Sequence, residues 1–172
     1  MHNKPIQTFC TEQRHKFRLS MLAAQLGFIC LLLLTGSVAT ARADVLDDYI
    51  SAFTYQERKD MKISSKELVE LLKKGEAQLI DIRFAEEFSA WRMGVAVNIP
   101  INELPKRLNE LDRSKIIVTA CPHKDRAALA RMYLATKGYR AKYLKDGLLG
   151  LAELLRGDLA REFVDSLEKS TP

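Results

Sequence analysis

Lys115–Gly138, KIIVTACPHKDRAALARMYLATKG, joins a buried strand to a helix through a short polar turn. Ile116-Ile117-Val118-Thr119 is a compact β-branched run, the pattern of a strand covered on both faces. Cys121 follows, then the polar Pro122-His123-Lys124-Asp125, then Arg126. From Arg126 the pattern turns helical: Ala127–Ala130 and Met132–Ala135 are apolar, Lys137 lies in the last turn, and Gly138 supplies the stop. Cys121 thus stands where a strand hands over to a helix N-terminus, a place with free backbone N–H groups and the positive end of the helix dipole. That setting, with Lys124 and Arg126 adding charge, favours a thiolate and marks Cys121 as reactive. The alternative is a buried structural cysteine ending a strand. The polar, doubly basic loop speaks against burial.

The 172 residues suffice for one domain with its own core, and the apolar and charged fractions are ordinary. The net charge of +5 is concentrated at one end. Residues 1–43 hold five basic residues and one acid, which leaves 22 bases against 21 acids for the other 129 residues. That balance excludes a nucleic-acid partner or an anionic membrane surface as the reason for the charge.

Residues 1–43 have the parts of a secretory signal peptide. Arg14, Lys16 and Arg18 form a basic region, Met21–Leu34 an uncharged and mostly apolar one, and Ala41-Arg42-Ala43 a cleavage pattern. A retained membrane anchor is the alternative, but it needs ~20 apolar residues, more than this stretch supplies without Thr, Gly and Ser. Cleavage after Ala43 removes Cys10 and Cys30 and leaves Cys121 as the sole cysteine and His123 as the sole histidine. The expected location is exported, most simply periplasmic. No internal disulfide, metal site or cofactor is then expected.

The rest of the chain alternates strands and helices. An amphipathic segment, 44–60, precedes the domain proper, 61–157, and a last helix occupies 158–172. Within the domain, Met61–Ile63 reads as an edge strand, and Ser64 with Glu67 as a capping box before a helix that stops at Gly75. Gln78–Ile82 is a strand, Ala85–Trp91 a short helix, Ala96–Ile99 a strand, and Glu103–Leu111 a helix bent at Pro105. Ala141–Leu144 is a strand and Leu148–Leu155 a helix. This alternation predicts an α/β fold with a mostly parallel sheet covered on both faces and the active site at the carboxyl ends of the strands. Asp81 and Arg83 are expected to fix their strand end by hydrogen bonds, Trp91 to be core, and Arg92 to pair with Glu86 or Glu87.

From Ile63 to about Arg156 the chain resembles the rhodanese family. Leu79-Ile80-Asp81-Ile82-Arg83 is similar to its LIDVR strand, and Glu87-Phe88 with Ala96–Pro100 to its EF…AxNIP stretch. Cys121–Arg126 is similar to its active-site loop, and Gly138-Tyr139 with Leu144–Gly147 to its closing motif. The resemblance implies a central parallel sheet of about five strands flanked by helices. It implies that Cys121 carries a sulfane sulfur as a persulfide, with Arg126 completing the catalytic loop. His123, Lys124 and Asp125 are then the substrate-binding candidates, and small sulfur compounds, or a partner protein of sulfur metabolism, the partners. Three readings stay open: a sulfurtransferase, a sulfane-sulfur carrier, and a silent interaction module. Cysteine-dependent phosphatases place five residues between Cys and Arg. Only four intervene here, a smaller cup that suits a sulfur better than a phosphoryl group. The loop departs from the family at Pro122, which has no N–H, and at Lys124, where Gly is frequent and which excludes a left-handed turn there without strain. Trp91-Arg92 replaces the usual Gly-His.

Overall fold

The computed structural model describes residues 45–170, so the expected signal segment, 1–43, lies outside the described residues. The chain forms two units that divide after Ser51. In the first, residues 45–51 are helical. The second carries everything that follows.

Its elements alternate as the sequence predicts: α1 (Tyr55–Asp60), β1 (Lys62–Ile63), α2 (Ser65–Lys73), β2 (Ala77–Asp81), α3 (Ala85–Ala90) and β3 (Val97–Asn98) come first. Two 3-10 turns (Leu104–Lys106, Leu108–Glu110) lead to β4 (Ile116–Ala120), α4 (Asp125–Thr136), β5 (Ala141–Leu144), α5 (Gly147–Leu154) and α6 (Asp158–Ser170). The five strands form one parallel sheet in the order β1-β5-β4-β2-β3. β1 is an edge strand. β4, the most apolar strand, lies in the middle, where both faces need covering.

Side chains alternate across the sheet and build two cores. Ile80, Ile82, Ile117 and Cys121 face α4 and the 3-10 turns, meeting Ala127, Ala130, Leu134 and Leu104. Leu79, Val118, Ala120 and Leu144 face α2, α5 and α6, meeting Leu68, Leu148, Leu151 and Phe163. Each fully buried Leu or Ile contributes ~1.5–3 kcal/mol, so the central strands are anchored from both sides.

Local signals set several boundaries. Ser64 accepts from Glu67 N while Glu67 Oε2 accepts from Ser64 N (2.9 Å), the reciprocal cap that starts α2. Gly75 and Gly138 adopt φ of 70° and 76° and end α2 and α4. Thr54 caps α1 by accepting from Glu57 N at 3.1 Å. Glu57 then reaches Arg131 of α4 at 2.6 Å, which ties α1 to the domain.

The expected helix Glu103–Leu111 is absent. Two 3-10 turns replace it, broken at Arg107 (φ −117°, ψ 22°). Pro105 brings no N–H, Asn109 is a poor helix former, and the tighter turns aim Leu104, Leu108 and Leu111 at the same core. Arg107 bridges Glu103 (3.0 Å) and Glu110 (2.6 Å) and holds the two turns together.

Candidate functional site

The site forms at the carboxyl ends of β2 and β4. The register pairs Asp81 with Ala120, and Ile82 N donates to Ala120 O at 3.0 Å. This places the segment after β2 beside Cys121. Cys121 is a free thiol and only 3% exposed. The expectation that the polar loop keeps it out of the core is therefore wrong. Cys121 continues the alternation of β4, and its side chain falls on the α4 face with Ile82 and Ala127. Strand periodicity decides its burial; the loop's polarity does not.

The loop runs from Cys121 to the start of α4 at Asp125. Cys121 O accepts from Leu148 N (2.8 Å) and Pro122 O from Leu149 N (3.3 Å), so both carbonyls are committed to the start of α5. The planar peptide then points His123 N–H away from α5. The N–H groups of residues 123–126 donate to no protein acceptor among the described residues. They are the open donors of a helix N-terminus, in the residues that directly follow Cys121. No non-glycine residue of the loop takes a positive φ, and Lys124 sits at φ −149°. The loop thus accommodates Lys124 without a left-handed residue. Asp125 begins α4, and no side chain caps the helix there. His123, Lys124 and Asp125 are exposed on the outer rim.

Gly147 braces the loop from beneath. At φ +65°, an added Cβ would lie 2.2 Å from Pro122 O and 2.3 Å from His123 O. Gly147→Ala is expected to cost more than ~2 kcal/mol, part left-handed backbone and part collision with carbonyls that cannot retreat. Urea unfolding checks this, and a variant as stable as the wild type would contradict the packing of α5 under the loop.

Arg126 closes the loop but is already engaged. Its Nη1 and Nη2 donate to Glu87 Oε2 and Oε1 at 2.6 and 2.7 Å, a bidentate pair between α4 and α3. Hydrogen bonding by Arg126 is the main reason the Glu87 carboxyl is held down to about 2. The pair is fully formed above pH 4.5 and fades as pH falls towards 2. Both side chains are about a third exposed, so the net stabilisation is modest. The Arg126 guanidinium is held further above its ordinary range, chiefly by Glu87, against desolvation, with smaller help from the charges of Glu87 and Cys121.

Asp81 and Arg83 lie beneath this pair, fully buried. Arg83 Nη2 donates to Asp81 Oδ2 at 2.6 Å and Arg83 N to Asp81 Oδ1 at 3.1 Å. Its remaining donors reach Glu87 O (3.3 Å) and Trp91 O (2.7 Å). Asn98 Nδ2 donates to both Asp81 O and Arg83 O at 2.9 Å, fixing the same corner from β3. Trp91 is not core. It stays 38% exposed and stacks on Arg83, whose guanidinium carbon is 4.1 Å from its ring centroid. Arg92 lies over Phe88 and has no ion pair with Glu86 or Glu87, because Arg126 occupies Glu87.

Glu87 and Gly147 carry the loop's geometry, and the motif reading alone gives neither a role there. Glu87 meets Arg126 across 39 residues of sequence, a contact without a local signal. A cleft of about 490 Å³ lies elsewhere, along β1 and α2, lined in part by Lys62, Lys66, Glu70 and Lys142. Among the described residues no cluster of His, Cys, Asp or Glu is arranged to hold a metal ion, and no helix is long and apolar enough to cross a membrane.

The family described as Rhodanese-like domain matches residues 64–153. The chain belongs to the rhodanese-like family. It is 36% identical over 118 residues to an HTH-type transcriptional regulator of Mycobacterium tuberculosis, covering 65% of this chain and 46% of the regulator. The chain thus spans about half the length of that relative. It is 32% identical over 99 residues to an uncharacterized protein of Bacillus subtilis, covering 57% of this chain and 77% of that protein. Among solved structures, reduced Bacillus anthracis CoADR-RHD superposes with a TM-score of 0.50 at 29% identity, over 55% of this chain and 17% of that one. A Bacillus halodurans protein superposes at 0.52 and 24% identity, over 61% of this chain and 82% of that one, a likeness of fold. The five-stranded parallel sheet with helices on both faces is the rhodanese fold.

Proposed function

We propose that this rhodanese-like domain is a sulfurtransferase that works through a persulfide on Cys121. The observation that carries the reading is the set of uncommitted N–H groups at residues 123–126, directly after Cys121, the buried free thiol among the described residues. A persulfide's outer sulfur is anionic, and preorganised donors stabilise such a charge most strongly where water is excluded. The Cys121 thiolate attacks the sulfane sulfur of a donor, the donor's own bond to that sulfur breaks, and a Cys121 Sγ–S bond forms. A nucleophilic acceptor then takes the outer sulfur and regenerates the thiolate. Arg126, held by Glu87, closes the cup and contributes fixed charge at its rim.

The burial of Cys121 supports a second reading, a carrier that keeps its sulfur protected until a partner protein of sulfur metabolism collects it. Turnover separates the two. Repeated cycles with a small thiol acceptor mark an enzyme, and a single equivalent released only to a protein marks a carrier.

The test of both is mass analysis after exposure to thiosulfate, polysulfide and an organic persulfide. The expected result is one added sulfur atom on the tryptic peptide Ile116–Lys124. No such adduct with any of the three donors leaves neither reading standing.

A further inference from the structure

At β1 the sheet has an open edge, with β5 between it and β4. Met61 O accepts from Tyr143 N and Ile63 O from Lys145 N, both at 2.9 Å. In a parallel ladder the residue between two such acceptors turns its own N–H and C=O the other way. That residue is Lys62, and no strand lies beyond it. Among the described residues no group bonds to its outward N–H or carbonyl. The ladder ends there, because Ser64 N is already taken by Glu67 Oε2 at 2.9 Å. The edge thus offers one donor and one acceptor, the pair that an extended peptide presents along its own main chain.

The cleft of about 490 Å³ opens beside this edge. Ile63 of β1 and Leu71 of α2 give it apolar walls, and Lys62, Lys66 and Lys142 stand around it. The two acids that line it are already engaged. Glu67 accepts from Ser64 Oγ at 2.6 Å within the cap, and Glu70 from Lys73 Nζ at 3.2 Å. None of the three lysines forms an ion pair among the described residues, and Lys142 Nζ donates to the Asp60 carbonyl. Lysine on an edge strand also keeps other strands away. That guard needs charge alone. It does not call for an apolar cleft beside the open main-chain pair of Lys62.

We propose that the groove between β1 and α2 docks an acidic peptide segment of a partner protein, added in extended form at the edge of β1. The segment's main chain pairs with Lys62 N–H and O. One apolar side chain enters the cleft against Ile63 and Leu71. Alternate residues of a strand share a face, so acids two residues before and after that side chain point the same way, towards the lysines. A single edge residue gives few main-chain bonds, so binding is weak and depends on salt. This site is independent of the chemistry at Cys121.

The experiment titrates the full chain against a fluorescein-labelled peptide, DEVLVED, and reads fluorescence anisotropy. The peptide should bind, and binding should weaken as salt rises. Its basic counterpart KKVLVKK should bind at least roughly tenfold more weakly. So should DEVLVED N-methylated at its three apolar residues, which keeps charge and side chains but removes main-chain N–H donors; one lost hydrogen bond accounts for roughly tenfold. The double variant Lys62→Glu with Lys66→Glu should lose roughly tenfold in affinity for DEVLVED, with its melting temperature unchanged. No binding of DEVLVED at millimolar protein overturns the proposal. Equal binding of the N-methylated peptide overturns strand addition, and equal binding of KKVLVKK, or an unweakened double variant, overturns the charge match. Displacement of DEVLVED by decanoate at equal concentration makes the occupant a small amphiphilic anion and overturns the peptide assignment.

Discussion

Cys121→Ser is expected to reduce sulfur loading by roughly a thousandfold or more, to background, since the nucleophile itself is removed. The hydroxyl does not ionise near neutral pH and forms no counterpart of a persulfide. The substitution also has a structural cost. Cys121 is 3% exposed among Ile82, Ala127 and other apolar neighbours, and a hydroxyl there without a partner costs ~1–3 kcal/mol. Cys121→Ala separates the two effects, because it removes the sulfur and adds no polar atom. Both variants should lose loading completely, and the alanine variant should keep more of the wild-type melting temperature. Cys10 and Cys30 are also in the chain, so the adduct must be read on peptide Ile116–Lys124. Sulfur that stays on that peptide in Cys121→Ser would show that another group carries it.

Where structure depends on neighbours in sequence, the sequence was legible. The β-branched run at Ile116–Thr119 and the alanine-rich stretch after it define β4 and α4. Ser64 and Glu67 define their cap because both partners lie within one turn. Where long-range packing decides, local reading failed. The loop around Cys121 is polar, yet the residue is buried, because the alternation of β4 outlasts its hydrogen-bonded length. Trp91 has the size of a core residue, but Arg83 needs the face of its ring and the oxygen of its backbone. Glu87 has a nearby cation in Arg92, but the β2–β4 register delivers Arg126 instead. Leu104, Leu108 and Leu111 fit a helical stripe, and only the position of Pro105 and the core they share tighten it into 3-10 turns. The motif residues were visible; which of them touch was settled by the sheet.

Asp81→Ala is expected to destabilise the domain by ~3–5 kcal/mol, the scale of a buried ion pair that loses one partner. Asp81 and Arg83 are both fully buried, and the carboxylate takes the Arg83 Nε, Nη2 and backbone N–H donors at 2.6–3.1 Å. Without it, the guanidinium keeps only Glu87 O, Trp91 O and the Trp91 ring, none of which carries a full charge. A domain of this size has ~5–15 kcal/mol in total, so the variant should melt far below the wild type or fail to accumulate. Asp81→Asn retains an acceptor and should lose less. The double variant Asp81→Leu with Arg83→Met removes both charges, and should recover part of the loss if the cost is an uncompensated charge. Denaturant midpoints for the four proteins decide this. A loss below ~1 kcal/mol in Asp81→Ala would mean that water reaches Arg83 and that the pair is no anchor. The consequence reaches the site, because the same Arg83 holds Glu87 O, and Glu87 holds Arg126. Where Asp81→Asn folds, its loop should therefore lose definition at Arg126 before it loses Cys121, and sulfur loading should slow without disappearing.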